Sequence, residues 1–195
     1  LYPFGFGLSY TQFSIDTSEF NVKDNSFTEK VMVKNVGRMS GKEVVQLYVE
    51  APQGKLGKAA RSLCAFAKTK TLSPGESETI DITVPFGRLA SYDDSGITGY
   101  RSASVLEAGT YIIHTGSNVR RTERSGSFSL TKTRIVEQLI EACAPVTAFD
   151  RLHPVPSLGG YTASYEPVPL RTYSMKERST ADTPSALAYT GDRGL

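Results

Sequence analysis

The chain has 195 residues, 39% of them hydrophobic, with 22 basic and 20 acidic side chains and a net charge of +2. That length supports one well-buried core with some tens of residues left over, and the balanced charge gives no field that would select nucleic acid or an anionic membrane. No stretch approaches the roughly 18 apolar residues of a membrane span, whereas ten Tyr, nine Phe, seventeen Gly and ten Pro favour strands joined by turns.

The chain starts "LYPFGFGLSY", without an initiator methionine and with two aromatic-glycine steps. From Gln12 to about Leu130, short apolar alternations separated by turn residues predict a β-sandwich. A first strand carries Phe13, Ile15 and, out of phase, Phe20. A second places Phe27, Val31 and Val33 in one phase and stops at Gly37. "KEVVQLYVEAP" puts Val45, Leu47 and Val49 on one face and Val44, Gln46 and Tyr48 on the other. After the glycine and lysine loop "GKLGKAAR", "SLCAFAKTKTL" supplies a fourth strand. "SPGES" is a turn and "ETIDITV" a fifth strand. Leu89 and Tyr92 are expected to be buried, with "DDSG" as a solvated turn and "GYRSA" as a short strand. "EAGTYIIHTGSN" and "SGSFSL" complete the sandwich.

Near Thr131 the pattern changes. Ile135, Val136, Leu139 and Ile140 have helical spacing, although "RIV" and "QLI" also fit an extension of the last strand; the helix is preferred. Past Pro145 the many prolines and the Gly159-Gly160 pair predict an extended, mostly irregular strap. Tyr161, Tyr165, Leu170 and Tyr173 make it too apolar for a free linker, so it should lie on another surface. Cys64 and Cys143 read as buried apolar positions rather than a disulfide, which favours a reducing, cytoplasmic setting.

"LYPFGFGLSYTQF", "VKNVGRMSGKEVVQLYVEAP", "LCAFAKTKTLSPGESETIDITV", "LASYD" and "EAGTYIIHTGSN" occur in that order. Together they resemble the segment that leads from the α/β sandwich domain into the fibronectin type III-like domain of glycoside hydrolase family 3, the family of β-glucosidases and related exo-glycosidases. The resemblance covers roughly residues 1–130 and departs from the family at Arg61-Ser62 and Ala65-Phe66. The continuation through "APVTAFDRL", "YEPVPLRTYSMKER" and "AYTGDRGL" is similar to the circularly permuted branch, in which a (β/α)8 barrel follows the type III domain.

The resemblance implies an all-β, immunoglobulin-like sandwich over 12–130, preceded by the end of an inter-domain connection over 1–11 and followed by an extension over 131–195. Leu1 is then a domain-boundary residue. It also implies a parent enzyme that hydrolyses terminal non-reducing β-D-glucosyl residues with retention, without metal or cofactor. Partners of the piece would be the α/β sandwich domain and the barrel of the same chain, with the β-glucoside reached through the parent.

Retaining hydrolysis needs two carboxyl groups about 5 to 5.5 Å apart. The family's nucleophile and acid/base motifs do not occur in these residues, so no catalytic residue is assigned. Asp93-Asp94 reads as a turn, His114 and His153 as lone histidines without a second ligand, and Arg120, Arg121 and Arg124, with Glu123 among them, as a basic hairpin tip that is read as a solvated loop, with docking onto an acidic neighbour domain as the alternative. Tyr2, Phe4, Phe6 and Tyr10 are candidates for packing between domains or for lining a sugar pocket. Lys55, Lys58 and Arg61 are candidates for reaching distal sugars at the pocket rim. A rival reading is a free-standing carbohydrate- or protein-binding module, which a line of surface aromatics on one sheet would favour.

Overall fold

The computed structural model describes residues 2–139 and 147–168. In chain order its elements are β1 (Phe13–Lys23), β2 (Ser26–Asn35), β3 (Val44–Glu50), β4 (Ser62–Lys68), β5 (Ser77–Pro85), a 3-10 turn (Phe86–Leu89), β6 (Ser91–Asp93), β7 (Ala103–Leu106), β8 (Gly109–Asn118), β9 (Arg121–Leu130), β10 (Arg134–Gln138), β11 (Asp150–Ser157) and β12 (Gly160–Pro167). Two antiparallel sheets form the sandwich, one ordered β1-β2-β5 and the other β4-β3-β8-β9.

Their facing sides follow the period of two in the sequence. Phe27, Val31 and Val33 of β2 and Ile82 and Val84 of β5 meet Val45, Leu47 and Val49 of β3, Tyr111 and Ile113 of β8, and Phe128 and Leu130 of β9. Phe128 stacks between Phe86, at a centroid separation of 4.3 Å, and Tyr111, at 5.0 Å. Each such side chain contributes about 1.5–3 kcal/mol by leaving water. Cys64 is buried beside them and its thiol donates to the Leu47 carbonyl at 3.3 Å; burial pushes that thiol up to about 12.

Three expectations from the sequence change. The stretch after Thr131 is a strand: β10 pairs with β7 (Arg134↔Leu106, Ile135↔Val105) in a small sheet ordered β10-β7-β6. The backbone of β7 needs a partner on that side, and Ile135 and Val136 stay half exposed, so no buried face existed to reward a helix. Tyr92 points outward while Leu89 is buried as expected.

The strap is ordered over 150–167 as a hairpin, with β11 and β12 in register from Asp150↔Pro167 to Ser157↔Gly160. Pro154 and Pro156 are tolerated because β11 has a partner on one side only. Gly159, at φ +88°, and Gly160, at φ +149°, make the tight reversal. Ile140, Cys143, Leu170 and Tyr173 lie outside the described residues.

Candidate functional site

The inner face of β3 builds the core, yet Gln46 and Tyr48 on its outer face are buried as well. They are covered by the N-terminal segment. The Phe4 carbonyl accepts the Val119 N–H at 3.1 Å and lies 3.5 Å from the Tyr48 hydroxyl. The Gly5 carbonyl accepts from Gln46 Nε2 at 3.1 Å. Gln46 Nε2 also donates to the Ser117 carbonyl at 2.7 Å, and Tyr48 donates to Gln46 Oε1 at 2.6 Å. Buried amide and phenol groups demand partners, and here the backbone of the incoming segment supplies several of them. Gly5 sits at φ +79°, and a Cβ there would lie 2.1 Å from Gln46 Oε1, so glycine serves both the conformation and the close approach.

The side chains of the same segment face away. Tyr2 is 82% exposed, Phe4 66%, Leu8 91% and Tyr10 99%. Tyr2 and Phe6 stack on one another at 4.7 Å. A segment whose backbone is fixed and whose large apolar side chains are presented has the form of a docking strip. Of the expected contact residues, Tyr2 and Phe6 are brought together, while Phe4 and Tyr10 are exposed.

The loop between β3 and β4 carries Lys55, Lys58 and Arg61. Lys58 is turned inward: its ammonium pairs with Glu107, and both side chains are almost fully buried. Glu107 also accepts the backbone N–H of Lys55 at 2.7 Å and of Leu56 at 3.2 Å. One buried carboxylate thereby fixes the whole loop. Arg61 donates to Thr122 Oγ1 at 3.0 Å and lies 3.8 Å from Glu50. Lys55 is exposed, and its carbonyl accepts Arg151 from the β11–β12 hairpin at 3.1 Å.

Glu50, next on the outer row of β3 after Gln46 and Tyr48, collects three partners. Tyr161 of β12 donates to Glu50 Oε1 at 2.5 Å. His114 Nε2 lies 3.1 Å from Glu50 Oε2, and Arg61 approaches the same oxygen. Burial, aided by the Arg61 charge, holds His114 below its ordinary value, against the opposing pull of Glu50. His114 is therefore neutral at pH 7. Burial and the Glu50 carboxylate push the Tyr161 phenol up to about 12. The row Gln46, Tyr48, Glu50 thus binds the N-terminal segment with its first two members and the C-terminal hairpin with its third.

Similarity to known proteins agrees with this architecture. The fibronectin type III-like domain family matches residues 43–119. A β-glucosidase of Ruminococcus albus is 48% identical over 194 residues, spanning 100% of this chain and 20% of that protein. The crystal structure of a β-glucosidase from Paenibacillus barengoltzii superposes with a TM-score of 0.84 at 47% identity, covering 100% of this chain and 22% of the other. The chain belongs to the fibronectin type III-like regions of glycoside hydrolase family 3. It spans about one fifth of the length of these relatives. β-Glucosidase 3B of Thermotoga neapolitana, solved with α-D-glucose, matches with a TM-score of 0.62 at 36% identity and covers 70% of this chain and 18% of its own.

In this family 3 region two further carboxylates are buried and hydrogen-bonded within the fold. Asp93, expected in a solvated turn, is completely buried. It accepts the N–H groups of Gly96 at 2.7 Å, Ile97 at 3.1 Å and Thr98 at 2.8 Å, together with the Thr98 hydroxyl at 2.5 Å. It folds the loop back on itself. Glu29 is also fully buried and, among the described residues, is held by hydroxyls, those of Thr17 at 2.7 Å, Thr115 at 2.6 Å and Ser125 at 3.0 Å. Sequence reasoning missed Glu29 and Glu107. The signal for Glu29 was its phase, since it falls on the same side of the strand as Phe27, Val31 and Val33. Among the described residues no group of three or more His, Cys, Asp or Glu side chains is placed to hold a metal ion. On the two sandwich sheets Phe66 is a solitary exposed aromatic among the described residues.

Proposed function

We propose that this family 3 region is the non-catalytic structural domain of a β-glucosidase that hydrolyses terminal non-reducing β-D-glucosyl residues with retention. Its task is to brace an α/β sandwich domain, which precedes it, against a (β/α)8 barrel, which follows the extension over 131–195. The observation that carries this reading is the outer row of β3. Gln46 and Tyr48 hold the incoming segment and Glu50 holds the outgoing hairpin, so one strand sets the direction of both connections.

The relatives support a place within a longer enzyme, since this chain spans only about one fifth of each. The Ruminococcus and Paenibacillus enzymes match the whole chain, hairpin included, whereas the Thermotoga enzyme matches only 70% of it. Such bracing matters because a displacement of about 1 Å at a reacting centre costs about a hundredfold in rate. The rival reading of a carbohydrate-binding module calls for a row of exposed rings on a sheet, and Phe66 stands alone there.

The test compares release of p-nitrophenol from its β-D-glucoside by the 195-residue chain and by the chain extended through both flanking domains. Hydrolysis by the extended protein alone is the expected result. Turnover by the short chain would overturn the non-catalytic assignment, and a correctly folded but inactive extended protein would overturn the glucosidase assignment.

A further inference from the structure

Between the docking strip and the sandwich lies an open cleft of about 1000 Å³. Three separate connections bring cations to its rim. Lys42 precedes β3, Lys68 ends β4, Arg120 lies in the β8–β9 turn and Arg121 opens β9. All four are exposed, and among the described residues none has a carboxylate within 4.0 Å. Only two acidic side chains share the lining, and one of them, Glu43, already accepts the Val44 N–H at 2.7 Å.

The cations are held on rigid supports. Asn118 Oδ1 accepts the N–H groups of Arg120 at 3.1 Å and Arg121 at 3.0 Å, which fixes the turn that presents both side chains. Lys42 and Lys68 are tied through their neighbours, since the Thr69 N–H donates to the Glu43 carbonyl at 2.9 Å and the Glu43 N–H to Thr69 Oγ1 at 3.0 Å. The remaining lining includes exposed Leu8 and Val36. A chain whose overall charge is only +2 has therefore gathered four unpaired cations and an apolar flank around one concavity. Like charges in excess of their counter-charges, here four cations against the carboxylates of Glu43 and Glu123, disfavour one another, and a complementary surface removes that cost on docking.

We propose that this cleft seats an acidic polypeptide segment, bearing Asp or Glu beside apolar residues, of the domain that docks on the N-terminal strip. The inference rests on the bracing reading and adds the chemistry of the partner surface.

The experiment uses the full-length parent chain. Zero-length carbodiimide coupling joins lysine amines to carboxylates in direct contact, and peptide mapping then locates each link. Lys42 and Lys68 should couple to carboxylates outside residues 1–195, and the links should disappear in about 1 M salt, where screening acts within about 3 Å. In the same protein their acetylation should be slowed roughly tenfold or more relative to exposed Lys132. Acetylation at the Lys132 rate, or coupling confined to residues 1–195, overturns the acidic partner. Hydrogen exchange over residues 2–10 separates the two readings. Protection there with a freely reactive cleft leaves the bracing intact, whereas exchange as in an open chain removes the bracing reading too.

Discussion

Gly5→Ala tests whether the β3 row holds the incoming segment. Two well-formed hydrogen bonds anchor it, Gly5 carbonyl to Gln46 Nε2 and Phe4 carbonyl to Val119 N–H, each at 3.1 Å. At about 1 kcal/mol apiece they contribute about 2 kcal/mol. Alanine at φ +79° costs about 1–2 kcal/mol. Its Cβ would also stand 2.1 Å from Gln46 Oε1. Gln46 has little room to yield, because Ser117 and Tyr48 hold both ends of its amide at 2.7 and 2.6 Å. Displacing it sacrifices the Gly5 bond, about 1 kcal/mol more.

The total matches or exceeds the anchoring energy, so the segment should detach while the sandwich, whose core it does not enter, remains folded. Amide exchange at Val119 reports this directly, with protection expected to fall about thirtyfold, the equivalent of about 2 kcal/mol. In the extended enzyme the same variant should lower kcat by roughly tenfold or more. Unchanged Val119 protection in Gly5→Ala would refute the reasoning, because it would mean that the backbone bonds are not what holds the segment.

Lys58→Met should destabilise the fold by about 3 kcal/mol in urea titration, the lower end for a broken buried pair, since Glu107 keeps two backbone donors. Lys58→Met with Glu107→Gln should lose less than Lys58→Met alone, and a loss below about 1 kcal/mol for the single variant would contradict the buried-pair assignment. His114 titrates below its ordinary 6.5 in the fold, so below pH 6.5 the unfolded chain binds more protons than the native one. Stability present above pH 6.5 should therefore decline as pH falls toward the native value. The lowered carboxyls of Glu19 and Glu76 act in a window below 4.5. Comparing urea midpoints at pH 7 and pH 5 should show a decline in the parent that is much reduced in His114→Gln.

The sequence by itself determined the sandwich. Alternating apolar residues such as Val45, Leu47 and Val49 have one favourable disposition, with alternate side chains on one face, and turn residues such as Pro74-Gly75 mark the breaks. It also displayed the aromatic-glycine segment as unusual, and Cys64 as a core residue. Only the tertiary structure decided what covers the outer face of β3. A strand reads the same locally whether Gln46, Tyr48 and Glu50 meet water or a distant segment, and their partners Gly5, Phe4 and Tyr161 lie 41, 44 and 111 positions away.

The same holds for Lys58 and Glu107, 49 positions apart, whose loop composition suggests mobility until the buried carboxylate is seen to gather it. It holds also for β10, where local spacing favoured a helix and the open backbone of β7 prevailed. Local pattern fixes which side of an element is apolar. Which elements meet, and which charges are thereby buried or left unpaired around a cleft, follows from long-range closure, and no local period records it.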